Sequence, residues 1–317
     1  MFDVIGAILW PIKWIIELIL VGFHSLFALV FTDPLGANAG VVWVLSIVGL
    51  VLVVRAALIP VFVKQIKSQR NMIVMQPELQ KLQKKYKGKT DRDSREKFAK
   101  EQMELYKRTG SNPLSSCLPI LLQMPIFGGL FLTLNDAQYK KAGVGFMTQD
   151  LAESFADARL FGAKLSETFL TASNDEVKIL AAVMVIVMTI TQFITQRQIM
   201  SKNQNPDVQN SQYMQTQKIL LYVFPVIFLI SGISFPLAVM FYWLTSNFWT
   251  MGQQFIVIRN MPTPGSIAAR QRDERLAKKG KLPKAAPVEE TPAEETPSST
   301  QRVQPEGKKR AKKKKKP

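Results

Sequence analysis

One cysteine, Cys117, and one histidine, His24, stand in 317 residues. A lone cysteine makes no intrachain disulfide, so no disulfide framework holds this chain. One Cys and one His are too few for the metal sites built from those ligands, and no metal centre is expected. The chain has no GxGxxG, no Walker-type phosphate loop, no GxSxG and no HExxH. No repeat at solenoid period is present either. These absences leave no cofactor to expect and no familiar catalytic motif. His24 reads as a packed or interfacial histidine.

Apolar length and positive charge are what the chain has in quantity. Hydrophobic residues make up 47% of it, and the formal net charge is +17. The run Val41–Val63, VVWVLSIVGLVLVVRAALIPVFV, is long enough to cross about 30 Å of hydrocarbon with some tilt. Arg55 lies inside it, nine residues before Lys64. A central arginine costs a membrane helix about 2.5–3.5 kcal/mol on insertion scales. The helix end is about 13 Å away, and a snorkelling stem covers only part of that. Arg55 either snorkels or faces a hydrated cavity inside a helix bundle, where it would have a functional reason to exist.

Residues 1–40 hold an apolar run with Lys13, Glu17 and His24 on one helical face, Lys13 and Glu17 being spaced to pair at i, i+4. That polar stripe predicts an amphipathic helix lying in the interface, with a spanning helix as the rival. Residues 64–112 carry fourteen Lys or Arg against six Asp or Glu. There Met72, Met75, Leu79, Leu82 and Tyr86 form a heptad-like seam. Pro77 kinks or starts that helix, and Gly88 stops it. Asp93 and Glu96 have the spacing of a capping box for the next helix. A helical hairpin follows from this. With 41–63, apolar runs at 113–134, 176–200, 218–233 and 237–258 make five spans. They are joined by a connector at 135–175, a polar loop at 201–217 and a tight turn at Ser234–Pro236. Residues 259–317 form a tail whose Pro-, Glu-, Thr- and Ser-rich centre supports no core. The excess of Lys and Arg in the hairpin, the 201–217 loop and the tail places these in the cytoplasm. Inside the spans no Asp or Glu faces Arg55, Glu176 lying at an edge.

Three stretches carry a resemblance: MIVMQPELQKLQKKY (Met72–Tyr86), NPLSSCLPILLQMPIF (Asn112–Phe127) and FPLAVMFYWLTSNFW (Phe235–Trp249). With Arg55 they resemble the YidC-type membrane protein insertases, over about residues 5–260, in the short form without a large periplasmic domain. The resemblance implies an all-α polytopic membrane protein of the bacterial plasma membrane. Its five core helices would enclose a hydrophilic groove, beside a cytoplasmic hairpin and an interfacial N-terminal helix. No N-terminal cysteine is present for the lipid anchor of some relatives. By resemblance Arg55 is the groove arginine, Trp243 a groove residue of the last helix and Gln196 that of the third, with Thr195 or Gln192 as alternatives by register. Gln123 reads equally as interhelical glue or cavity lining, and Asn247 joins the candidate groove set. The implied substrates are nascent membrane proteins, inserted alone or with the Sec translocon. The basic hairpin and tail are expected to hold the ribosome or the signal-recognition targeting machinery. For Lys308, Lys309, Arg310, Lys312, Lys313, Lys314, Lys315 and Lys316, ribosomal RNA and anionic lipids are equal readings. A small-solute or anion transporter binding at Arg55 is the alternative function. It should show inverted repeats or paired broken helices, and neither is seen.

Overall fold

The computed structural model describes residues 2–31, 39–109, 118–202 and 212–281. They form α1 (Phe2–Val30), α2 (Ala39–Ala57), α3 (Ile59–Tyr86), α4 (Arg92–Arg108), α5 (Leu118–Gln138) and α6 (Gln149–Asp157). A two-stranded antiparallel ribbon follows, β1 (Arg159–Leu160) and β2 (Ala163–Lys164), then α7 (Asp175–Lys202), α8 (Gln212–Ser234), α9 (Leu237–Asn260) and α10 (Ile267–Lys278). The chain divides into two compact units, Met1–Glu274 and Arg275–Pro317. Of the second, only the end of α10 and the turn at Gly280 are described. Cys117 and the cluster Lys308–Lys316 lie outside the described residues.

The helical class is as expected, and its surface suits lipid. Ile179, Ile186, Ile190, Val226 and Ile230 are each more than half exposed. A soluble protein rarely leaves such apolar area in water. Gly6–Val30, Ala39–Ala57 and Asp175–Lys202 are long and apolar enough to cross a membrane. Of the five expected spans, those of α2 and α7 meet that standard among the described residues.

The expected span 41–63 is two helices. α2 ends at Ala57, Leu58 is a turn residue, and α3 begins at Ile59 with Pro60 in its first turn. Proline has no N–H for the carbonyl four residues back, so the ladder breaks at Ala56. Arg55 therefore sits in the last turn of α2, where the negative end of the helix dipole favours a cation. The same α3 runs through Pro77 to Tyr86, so Pro77 does not start a helix.

The apolar core lies at the connector end of the bundle. Trp43, Ile47 and Leu50 of α2 pack with Leu130 of α5, Met147 and Phe155 of the connector, Leu165, and Leu237 and Met240 of α9. Gly40, near the start of α2, is pressed against the backbone of β1. A Cβ there would collide with the Arg159 carbonyl. Gly40→Ala is expected to destabilise the fold by about 1–3 kcal/mol through overpacking, read as a lowered melting temperature in detergent.

α1 crosses this core. Leu9 lies against Gly128, Ile12 and Ile16 against Gly129, and Phe23 against Gly49. Gly128 and Gly129 are ten and nine residues before the end of α5, and Gly49 is ten residues after the start of α2. Those ends meet the same connector: α5 and α2 both contact α6. Over the about 21 Å from Leu9 to Phe23, α1 stays at one level. Its polar stripe is not solvated and its charges do not pair with each other. Lys13, 6% exposed, pairs with Asp136 at 2.7 Å. Glu17, fully buried, accepts N–H bonds from Val144, Gly145 and Met147 at 2.9, 2.7 and 3.4 Å. His24 lies tilted against the Trp43 ring, with ring centres 4.2 Å apart. The stripe marks the face that docks on the connector and the start of α2.

α3 and α4 form the expected hairpin around Met75, Leu79 and Leu105, with Tyr106 against them. The start of α4 differs from expectation. Asp91 is the cap, accepting from the Ser94 N–H at 2.8 Å, because Asp-x-x-Ser precedes the Asp93 spacing by two residues. Glu96 instead pairs with Arg92 at 3.0 Å. The two helices are clasped by Arg108 on Glu78, and by Lys85 and Tyr86 both donating to Glu101 at 2.8 Å. These bonds hold the Glu101 carboxyl below the usual range. Its folded value is depressed, so its contribution is present above the ordinary carboxylate value of about 4.3 and is lost as pH falls through the folded value. Amide exchange in α4 should accelerate below about pH 4, and Glu101→Gln should reduce that acid step, the rest belonging to the Asp91 cap.

Candidate functional site

Arg55 projects into a cavity lined by Ile16 of α1, Leu50, Val51 and Val54 of α2, Gln123, Ile126 and Leu130 of α5, and Tyr242 of α9. Its volume is about 10 Å3, room for about one water. Three polar side chains converge in this apolar wall: Arg55, Gln123 and Tyr242. Gln123 Nε2 donates to the Tyr242 hydroxyl, bridging α5 and α9, which also meet where Phe127 packs against Tyr242 and Trp243. On its other side Arg55 meets α3, its Cζ lying 5.6 Å from the centre of the Phe62 ring. Phe62 is buried, one turn past the break. Among the described residues no carboxylate pairs with Arg55. A cation with a helix terminus, a ring face and two neutral polar groups for company is held without being neutralised.

The structure divides the expected groove set. Arg55 and Gln123 share the cavity; Trp243, Gln196 and Asn247 do not line it. Trp243 joins an aromatic cluster, stacked on Phe127 at 5.3 Å and edge-on to Phe235 at 5.0 Å. Gln196 is 7% exposed on α7, beside Thr195, whose hydroxyl bonds back to the Thr191 carbonyl. Asn247 has a buried amide nitrogen without a hydrogen-bond partner. One position before Trp243, Tyr242 is turned by about 100° on the helix, and this turns it toward Arg55. Tyr242, Phe62 and Ile16 were absent from the expected set. Tyr242 was findable from sequence, as an aromatic with a polar tip among residues of a carried-over motif; nothing local marked Phe62 or Ile16.

The fold and site thus define a class: a polytopic helical membrane protein with an arginine between its helices that has no carboxylate partner among the described residues. Residues 35–264 match the profile of the 60Kd inner membrane protein family, and the chain belongs to that family. Curated relatives are named membrane protein insertase YidC. The Streptomyces avermitilis protein is 47% identical over 277 residues, 84% of this chain and 61% of that protein. The Tropheryma whipplei strain Twist protein is 41% identical over 322 residues, 98% of each. The Bifidobacterium longum protein is 36% identical over 273 residues, 84% of this chain and 80% of its own length. A solved structure described as an active YidC insertase with its first transmembrane domain resolved is 20% identical, with a TM-score of 0.47, covering 79% of this chain and 46% of that one.

Proposed function

We propose that this chain is a membrane protein insertase that receives nascent membrane proteins at Arg55. The observation that carries this reading is the cavity in which Arg55, Gln123 and Tyr242 converge with no carboxylate partner among the described residues. A polar segment of a substrate must cross about 30 Å of hydrocarbon. A cation part-way across, in a low-dielectric wall, attracts an acidic residue of that segment more strongly than water would, and the pairing lasts only until the segment moves on. The cavity of about 10 Å3 is too small for a peptide. Admission therefore requires α5 and α9 to part, which releases Gln123 and Tyr242 from each other and offers both to the incoming backbone. The packed connector end stays closed during this opening, and the opposite end of α2 leads into the hairpin.

The level course of α1, with Lys13 and Glu17 held at the ends of the spanning helices, supports an interfacial position for that helix on the outer side, although its length would suffice to cross. The hairpin and C-terminus are then cytoplasmic. The basic hairpin suits contact with the ribosome, the targeting machinery or anionic lipid. Action beside the Sec translocon fits the sideways release of apolar segments into lipid.

Purified protein in liposomes, given a short in vitro translated membrane substrate, tests the reading. Protease protection of the translocated segment is expected; solute flux without insertion would favour the transporter.

A further inference from the structure

The turn of the ribbon carries a side chain that the backbone disfavours. Arg159 pairs with Lys164 and Leu160 with Ala163, leaving Phe161 and Gly162 as a two-residue turn. Both have positive φ, 51° and 82°. A two-residue hairpin turn of this kind is ordinarily made by Asn, Asp or Gly. A bulky aromatic there is strained, and such strain persists only where the surroundings impose it. Here they do: Arg159 Nη1 and Asn174 Nδ2 both donate to the Gly162 carbonyl, at 3.2 and 3.1 Å. Yet the ring is left uncovered by the described residues, Phe161 being 85% exposed.

The level of this turn suggests what covers the ring. A Cβ on Gly162 would meet Glu176 Cγ at 3.4 Å. Glu176 is the second residue of α7, and after Val177 and Lys178 the uninterrupted apolar run of α7 starts at Ile179. Ile179 is 63% exposed. The tip therefore lies where α7 passes from polar to apolar surroundings. Arg159, exposed in the adjacent strand, is suited to a lipid phosphate. We infer that Phe161 is a lipid anchor, its ring seated in the outer-leaflet interface of the bilayer, fixing the depth of the connector and of the start of α7. This rests on the reading of α7 as a membrane span.

The test places photoreactive benzoyl-phenylalanine at position 161 of the full chain in phosphatidylglycerol–phosphatidylethanolamine liposomes, with position 186 in the exposed middle of α7 as reference. Lipid adducts at both positions are expected. A lipid adduct at 186 without one at 161 overturns the anchor and leaves the span intact. Adducts at neither overturn both. A protein adduct at 161 in cell membranes, in place of lipid, assigns the ring to a partner and overturns the anchor. As a second variant, Phe161→Trp should add emission, relative to the parent, that is quenched at least twofold more by lipid brominated near the headgroup than by lipid brominated near the chain end. No added quenching by either lipid overturns the proposal.

Discussion

An Arg55→Ala variant is expected to insert substrates with an acidic leading segment at least about tenfold more slowly, while Arg55→Lys stays within a few-fold of the parent. Two unit charges about 4 Å apart at an effective dielectric of about 20 attract by about 4 kcal/mol. Losing a third of that in the rate-limiting step is already about tenfold. Lysine keeps the charge and the helix-terminus position and loses only the planar fork. A substrate whose leading segment is neutral should be nearly indifferent to the alanine change. Arg55 is half-buried and makes no ion pair among the described residues, so the variant should melt within a few degrees of the parent. Equal insertion of acidic and neutral substrates by the alanine variant would remove the charge from the mechanism.

Glu17→Ala should be among the most destabilising single changes in the chain. The carboxylate is fully buried and accepts from the backbone N–H groups of Val144, Gly145 and Met147. Each donor left without an acceptor costs about 1–3 kcal/mol, and a total near 3 kcal/mol lowers a melting temperature by about 6–12 °C. The substitution Glu17→Gln keeps one acceptor oxygen, so its loss should fall between. Asp136→Ala is comparable to the alanine change, because it strands the buried Lys13 ammonium, a loss of about 3–5 kcal/mol. Lys13→Met combined with Asp136→Leu should recover much of it, since the cost lies in the stranded charge. Thermal unfolding in detergent of the parent, Lys13→Met, Asp136→Leu and the pair together forms a double-mutant cycle. Additive losses would mean that the pair seen at 2.7 Å carries no energy.

Much of this fold was legible because hydrocarbon leaves a chain few choices. Long apolar runs between basic loops read as helices, and Arg55 stood out because its run offers it no partner. The seam of Met75 and Leu79 and the Ser234–Pro236 turn follow from local pattern. What escaped depends on distant or backbone partners. Asp136 lies 123 residues from Lys13, and the acceptor role of Glu17 involves amides that leave no trace in side-chain identity. Pro60 was visible, but a proline in an apolar run reads as tolerated or as breaking according to its neighbours. Within the candidate site, Arg55 and Gln123 line one cavity. Trp243 separated from them because aromatic side chains from α5 and α9 cluster on its own side of the helix.

The break at Leu58 makes α3 an oar. Its 28 residues form a rod about 42 Å long, pivoting two residues beyond the end of α2, with Phe62 on the blade side of the oarlock and Arg55 on the hull. One degree of rotation there sweeps the far end by about 0.7 Å. A load on the far end of α3 would act on the Arg55–Phe62 contact with a mechanical advantage of several-fold. Force on the hairpin and access to the Arg55 cation would then be two readings of one angle.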